Sequence, residues 1–170
     1  MLKVFLVEDE RVIREGFRDR IPWEQYGFRL VGEANDGEMA LPLIRKLKPD
    51  VLITDIKMPF MDGLSLSEIV KEEFPKIKII ILSGYNEFDY AKQAIHIGVT
   101  DYLLKPITAS KLLEAVKKVA EVIEREREEE NMLERYRLEM AENTVLDRQR
   151  LFKDLVTSRI GFKEALERGE

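Results

Sequence analysis

The feature that most constrains this chain is a series of short runs that are apolar at almost every position: Leu2–Val7, Arg29–Ala34, Val51–Thr54, Ile77–Leu82 and Val99–Leu104. A strand with one wet face alternates apolar and polar residues, whereas a run without alternation belongs in a sheet covered on both sides. Between the runs lie segments with helical spacing, such as Val12, Phe17 and Ile21, or Leu66, Ile69, Val70 and Phe74. Alternation of strand and helix predicts an α/β fold, a doubly wound five-stranded parallel sheet with right-handed crossovers and five helices.

The punctuation agrees. Pro49-Asp50 precedes the third strand, Pro75 stops the third helix, and Asn86 is placed to cap the fourth. Pro42 conflicts with its surroundings: inside the expected second helix it removes a backbone donor, which predicts a kink or a delayed start. The first connection, Pro22–Phe28, is longer than the fold requires, and its aromatics Trp23 and Tyr26 are expected to pack against the core edge.

Beyond residue 108 the pattern changes. Leu112, Val116, Val119 and Ile123 form an apolar seam on a fifth helix. Residues 121–150 then hold ten acidic and six basic side chains with no glycine or proline, the signature of a long solvated helix. The seam fades at Glu126 and Glu130, resumes at Leu133, Tyr136 and Met140, and shifts phase to Val145, Phe152 and Leu155. Interrupted heptads describe a charged linker helix or a stuttered coiled coil. Gly161 is expected to end the helix. The expected organisation is a domain over 1–120, a helical linker over 121–160 and a tail, or the start of a further segment, over 161–170.

Several chemistries are excluded. The 170 residues contain no cysteine, so disulfides, thiolate metal sites and cysteine nucleophiles are absent, and a single histidine, His96, cannot build a His-rich metal cluster. A net charge of −5 argues against a strongly basic nucleic-acid surface. The N-terminus offers only Val4–Val7 before Glu8, too little for a signal segment, and no uncharged run exceeds the eight residues of Ile79–Asn86 or Gln93–Thr100. A cytoplasmic chain with no membrane partner is expected.

Ligands of an open parallel sheet bind at the carboxyl ends of its strands. Glu8 and Asp9 end the first strand, Asp55 the third and Ser83 the fourth, and Lys105 follows the fifth. Three neighbouring carboxylates raise one another's pKa unless a cation compensates, and one lysine is insufficient. With oxygen donors only, Mg²⁺ is the natural complement. A carboxylate beside Mg²⁺ and a lysine is a plausible nucleophile towards a phosphoryl group, with Ser83 placed to hydrogen-bond a transferred oxygen. For Asp9 or Asp55 alone, a strand-end turn or helix cap is the simpler reading; five matched strand ends favour a site.

In order along the chain, Val-Glu-Asp-Glu (7–10), Asp-Ile-Lys-Met-Pro-Phe-Met-Asp-Gly (55–63), Leu-Ser-Gly-Tyr (82–85) and Asp-Tyr-Leu-Leu-Lys-Pro-Ile (101–107) resemble the response-regulator receiver family over residues 1–120. The resemblance implies a flavodoxin-like strand order 2-1-3-4-5 with a C-terminal helical extension. It makes Asp55 the phosphoacceptor, Asp9 the direct Mg²⁺ ligand, Glu8 an acid acting through water and Lys57 the donor of a metal-binding backbone carbonyl. Ser83 becomes the switch hydroxyl, Lys105 the family's lysine and Tyr102 the aromatic that changes rotamer. The family commonly has two aspartates where this chain has Glu8-Asp9.

Trp23-Glu24 with Gly27-Phe28, and the segment Ser83 to Ala91, further resemble regulators with an AraC-type helix-turn-helix output domain; no helix-turn-helix pair is found in 121–170. The implied partners are a sensor histidine kinase, a second copy through helix four, strand five and helix five or through the linker, and DNA only through an output domain not on this chain. The implied chemistry is confined to the chain's own phosphorylation and dephosphorylation. Tyr85 is expected either to shield the phosphoryl group or to face solvent. A phosphoaspartate phosphatase is disfavoured because the position two after Asp55 is Lys57 where such enzymes want a carboxylate, and neither G-x-G-x-x-G nor a P-loop occurs. An interaction module that uses the same fold without phosphorylation is the remaining alternative.

Overall fold

The computed structural model describes residues 1–84 and 88–167, excepting the side chains of 160–162 and 165. Two compact units are present, Met1–Ile123 and Glu124–Glu170. In the first, β1 (Leu2–Val7), β2 (Phe28–Ala34), β3 (Val51–Asp55), β4 (Lys78–Ser83) and β5 (Asp101–Leu104) alternate with α1 (Arg11–Arg20), α2 (Gly37–Leu47), α3 (Gly63–Glu73) and α4 (Phe88–Ile97). The last helix, α5, spans Ala109–Glu167 and continues into the second unit. The sheet order is β2-β1-β3-β4-β5, and all four pairings are parallel. The expected sheet and order are therefore present.

Both faces of the sheet are covered, as its unbroken apolar strands require. Successive side chains of a strand point to opposite faces. Val4, Leu6, Val51, Ile53, Ile80 and Leu82 accordingly join one core with Phe17 of α1 and Leu112, Val116 and Val119 of α5. Phe5, Val7, Leu52, Ile79 and Ile81 join the other, with Ile44 of α2, Leu66 and Val70 of α3 and Ala94 of α4. Every carboxyl strand end thus emerges at one edge of a sheet packed from both sides.

The local expectations fared unevenly. The connection before β2 forms a 3-10 turn, Trp23–Tyr26. Trp23 is buried and its Nε1 donates to the Phe17 carbonyl at 3.2 Å, but Tyr26 is exposed under the Lys117 ammonium, 3.9 Å from the ring centroid. Pro42 does not delay α2, which starts five residues earlier, where Asp36 caps it by accepting from the Met39 amide at 2.8 Å. The carbonyl that a residue-42 amide would have served belongs to Glu38, an exposed position where water can replace it. β5 begins at Asp101 because the Val99 amide is spent on the Ala94 carbonyl at the end of α4. Gly161 does not end α5, which runs on to Glu167. A helical glycine costs about 1 kcal/mol, and the helix-favouring Lys163, Glu164, Ala165 and Leu166 that follow let the helix absorb it. The expected Asn86 cap lies outside the described residues. From Glu124 onward every described side chain is exposed.

Candidate functional site

The ends of β1, β3 and β4 and the residue after β5 bring the acidic site together. Glu8, directly after β1, is fully buried and Asp55, closing β3, is 7% exposed. Lys105 Nζ bridges them, 3.0 Å from Glu8 Oε2 and 3.1 Å from Asp55 Oδ2. The remaining oxygens are also held: the Ile56 amide donates to Asp55 Oδ1 at 2.8 Å and the Glu10 amide to Glu8 Oε1 at 3.2 Å. Asp9 is exposed, yet one carboxylate oxygen from each of Glu8, Asp9 and Asp55 lies within 4.8 Å of the other two.

Ser83 is buried at the end of β4, beside Leu82, the register partner of Asp55. Its carbonyl accepts from the Lys105 amide at 2.7 Å, which ties the two strand ends together. The Lys105–Pro106 peptide is cis. Tyr102, on β5, packs against the core on the α2, α3 and α4 side, and among the described residues its buried hydroxyl has no hydrogen-bond partner. The Lys57 ammonium lies over the Tyr90 ring, 5.9 Å from its centroid. Tyr85 lies outside the described residues.

Burial governs the electrostatics. Desolvation, reinforced by the Asp55 charge, pushes Glu8 from an ordinary 4.5 to about 7 against the pull of Lys105. Asp55 is also raised, by burial first and by Asp9 to a lesser degree, with Lys105 and the Ile56 amide opposing. Burial alone would lower Lys105, but the hydrogen bonds and charges of Glu8 and Asp55 outweigh it and hold the ammonium above its usual range. Three acids facing one lysine leave a charge deficit, and oxygen donors at this spacing suit a hard divalent cation such as Mg²⁺.

The sequence reading missed two contributors. It gave Glu8 to a metal alone, whereas Glu8 also anchors Lys105; a buried carboxylate needs a partner, and Lys105 supplies one. It quoted Gly63 without giving it a role. A Cβ at Gly63 would stand 1.8 Å from the Asp55 carbonyl oxygen, and the Gly63 amide donates to the Ile56 carbonyl at 2.8 Å. Only glycine lets α3 start this close to the backbone of Asp55. The signal was an Asp-Gly pair, with Asp62 capping α3 through the Ser65 amide at 2.7 Å.

A doubly wound parallel sheet with paired acids and a lysine at its strand ends defines a receiver-type signalling domain. Residues 4–117 match the response regulator receiver domain family, and the chain belongs to that family. It is 40% identical over 126 residues to the uncharacterized transcriptional regulatory protein YesN of Bacillus subtilis, a match covering 74% of this chain and 34% of that protein. It is 43% identical over 112 residues to the transcriptional regulatory protein HptR of Staphylococcus aureus, covering 66% of this chain and 44% of that one. The solved REC domain of AraT, a response regulator from Geobacillus stearothermophilus, aligns with a TM-score of 0.69 at 45% identity, over 74% of this chain and 98% of that one. A two component transcriptional regulator AraC from Clostridium phytofermentans aligns with a TM-score of 0.66 at 29% identity, over 76% and 99%. The chain spans less than half the length of these curated relatives.

Proposed function

We propose that this chain is a phosphorylation-operated response regulator in which Asp55 takes a phosphoryl group from the phosphohistidine of a sensor kinase. The observation that carries the reading is the bridge from Lys105 Nζ to both Glu8 and Asp55, with Asp9 completing the acidic cluster. An Asp55 carboxylate oxygen attacks phosphorus, the O–P bond forms as the N–P bond breaks, and the imidazole leaves with the bonding pair. Lys105 stays beside the transferred group, where its charge offsets the developing negative charge on the phosphoryl oxygens. Asp9 and Asp55 would hold Mg²⁺ directly, Glu8 through water and Lys57 by its backbone carbonyl. When bound, the ion supplies further charge neutralisation at the phosphoryl oxygens.

Ser83 then hydrogen-bonds a phosphoryl oxygen, and Tyr102 changes rotamer into the space released. The unpartnered Tyr102 hydroxyl supports this, since an unsatisfied buried polar group costs about 1–3 kcal/mol and favours a rotamer that finds a partner. The surface of α4, β5 and α5 shifts its equilibrium, and the signal passes through α5 to a dimer and to transcriptional output. The domain organisation proposed is a receiver over 1–120 followed by a helical linker, in a cytoplasmic protein whose own chemistry is limited to phosphorylation and dephosphorylation of Asp55. Among the described residues no helix is long and apolar enough to cross a membrane.

Incubation with a small phosphoryl donor and Mg²⁺ tests the central claim. Label should appear on the wild type and be lost from Asp55→Asn; equal labelling of the two would overturn it.

A further inference from the structure

We propose that Arg14 of α1 is a positioning residue for the phosphorylation of Asp55: it holds the Glu8 carbonyl, and the Glu8 side chain in turn holds Lys105 against the acceptor. The inference rests on the proposed function and extends the machinery of that site to a residue that acts through another.

β1 ends at Val7, so Glu8 is the first residue of the link to α1. Its buried carboxylate meets Lys105 at 3.0 Å only while the main chain of this link stays in place. The Glu8 amide is fixed by the Ala34 carbonyl at the end of β2, at 3.1 Å. The Glu8 carbonyl is fixed by Arg14, whose Nη1 donates to it at 2.8 Å. Helix capping offers no substitute, because Glu10, the residue before α1, makes no side-chain cap hydrogen bond. Arg14 stands one turn into α1, with its amide on the Glu10 carbonyl at 3.0 Å and its side chain folded back to Glu8. The guanidinium thus fastens the link where many helices rely on a cap.

The competing account is that Arg14 only ties α1 to β2 through Glu33. The distances speak against it. Arg14 Nε lies 4.0 Å from Glu33 Oε1, beyond hydrogen bonding, whereas Arg18 Nη1 donates to that oxygen at 2.9 Å. Glu33 Oε2 is buried and has no hydrogen-bond partner among the described residues, so an acceptor is left unused while Arg14 donates to Glu8. The Arg14 side chain is 16% exposed against 41% for Arg18, so its charge-assisted hydrogen bond is the less screened of the two. From the Glu8 carbonyl the connection runs through Glu8 Oε2 to Lys105 Nζ and on to Asp55 Oδ2 at 3.1 Å. A small displacement of Glu8 therefore moves the cation that offsets charge at the transferred group, and reaction rates are sensitive to such displacements.

The test measures labelling rates of the full chain with acetyl phosphate and Mg²⁺, beside denaturant unfolding of each variant. Arg14→Met keeps the apolar stem and removes the donor, and should label about tenfold more slowly than the wild type. Arg14→Lys, which can still donate to the Glu8 carbonyl, should recover part of that loss. Arg18→Met loses the closer contact with Glu33 and should label at the wild-type rate. In a Glu8→Ala background, Arg14→Met should slow labelling by less than about threefold, because the residue through which it acts no longer anchors Lys105. Arg14→Gln, polar but too short to reach the carbonyl, repeats the comparison if Arg14→Met does not fold. A wild-type rate for the Arg14 variant, an equal loss in Arg18→Met, or an undiminished loss in the Glu8→Ala background would overturn the proposal. Any of these outcomes, with the wild type labelled and Asp55→Asn unlabelled, removes the role of Arg14 and leaves the phosphoacceptor reading standing. Labelling of Asp55→Asn removes that reading itself.

Discussion

At the scale of residues, the buried acids set a pH dependence with a definite sign. Glu8 sits at about 7 in the folded chain against an ordinary 4.5, so the folded state binds the proton more tightly than the unfolded state does. That preference contributes stability fully below about pH 4.5 and loses it as the pH rises through 7. Asp55, raised in the same direction, adds to the trend. Without divalent cations the melting temperature should fall between pH 5 and 8, and Glu8→Gln should flatten this slope, a difference on the order of 1–3 kcal/mol. Melts of both proteins across that range check it; parallel slopes would show that Glu8 is not the titrating group. Asp9, Asp55, Ser83 and Lys105 were legible in the sequence because each is a polar residue closing an apolar run. The burial of Glu8 beneath Lys105 was not. Neighbours in sequence take different environments once β1 ends at Val7, and only the fold reveals that Glu8 is buried beneath Lys105 while Asp9 stays exposed.

At the scale of elements, the start of α3 is the tightest junction with the site. Gly63→Ala would drive a methyl group into the Asp55 carbonyl oxygen, 1.8 Å away, and both groups are backbone-bound. Overpacking of this kind should cost about 3 kcal/mol or more and should reduce phosphoryl labelling as well, because Asp55 must shift to relieve it. Denaturant unfolding and labelling of the same variant measure the two effects; a stable, fully labelled Gly63→Ala would show that the junction is looser than this geometry. The strands were legible because burial on both faces removes polar residues from them, and Leu2–Val7 matches its expected bounds. Element ends were less so. Val99 and Thr100 read as strand, but the Val99 amide caps α4 through the Ala94 carbonyl, and Thr100 donates to the Ile79 carbonyl, a contact between distant parts of the chain. Pro42 and Gly161 read as breaks, yet neighbouring helix formers and solvent absorb each defect.

At the scale of the whole molecule, the question is how an event at Asp55 reaches residues beyond Ile123. The path along the chain is short. Lys105 touches Asp55 with its ammonium and Ser83 with its amide, and α5 begins at Ala109 with Leu112, Val116 and Val119 locked into the core beneath β1, β3 and β4. Under the proposed function, a change in the Lys105 bridge on phosphorylation would therefore act on the loop that launches α5. The helix is continuous from Ala109 to Glu167. A phosphoryl group can shift this equilibrium only by its differential interaction with the two states, and the groups that would sense the difference are Lys105, Ser83 and Tyr102. Solution scattering of the full chain should change when a phosphoryl mimic is added with Mg²⁺, and should not change in Asp55→Asn. A wild-type profile unmoved by the mimic would mean that phosphorylation alters the first unit without altering the second. The signal would then have to leave through the surface of α4, β5 and the first turns of α5, with the long helix serving only to hold two copies together.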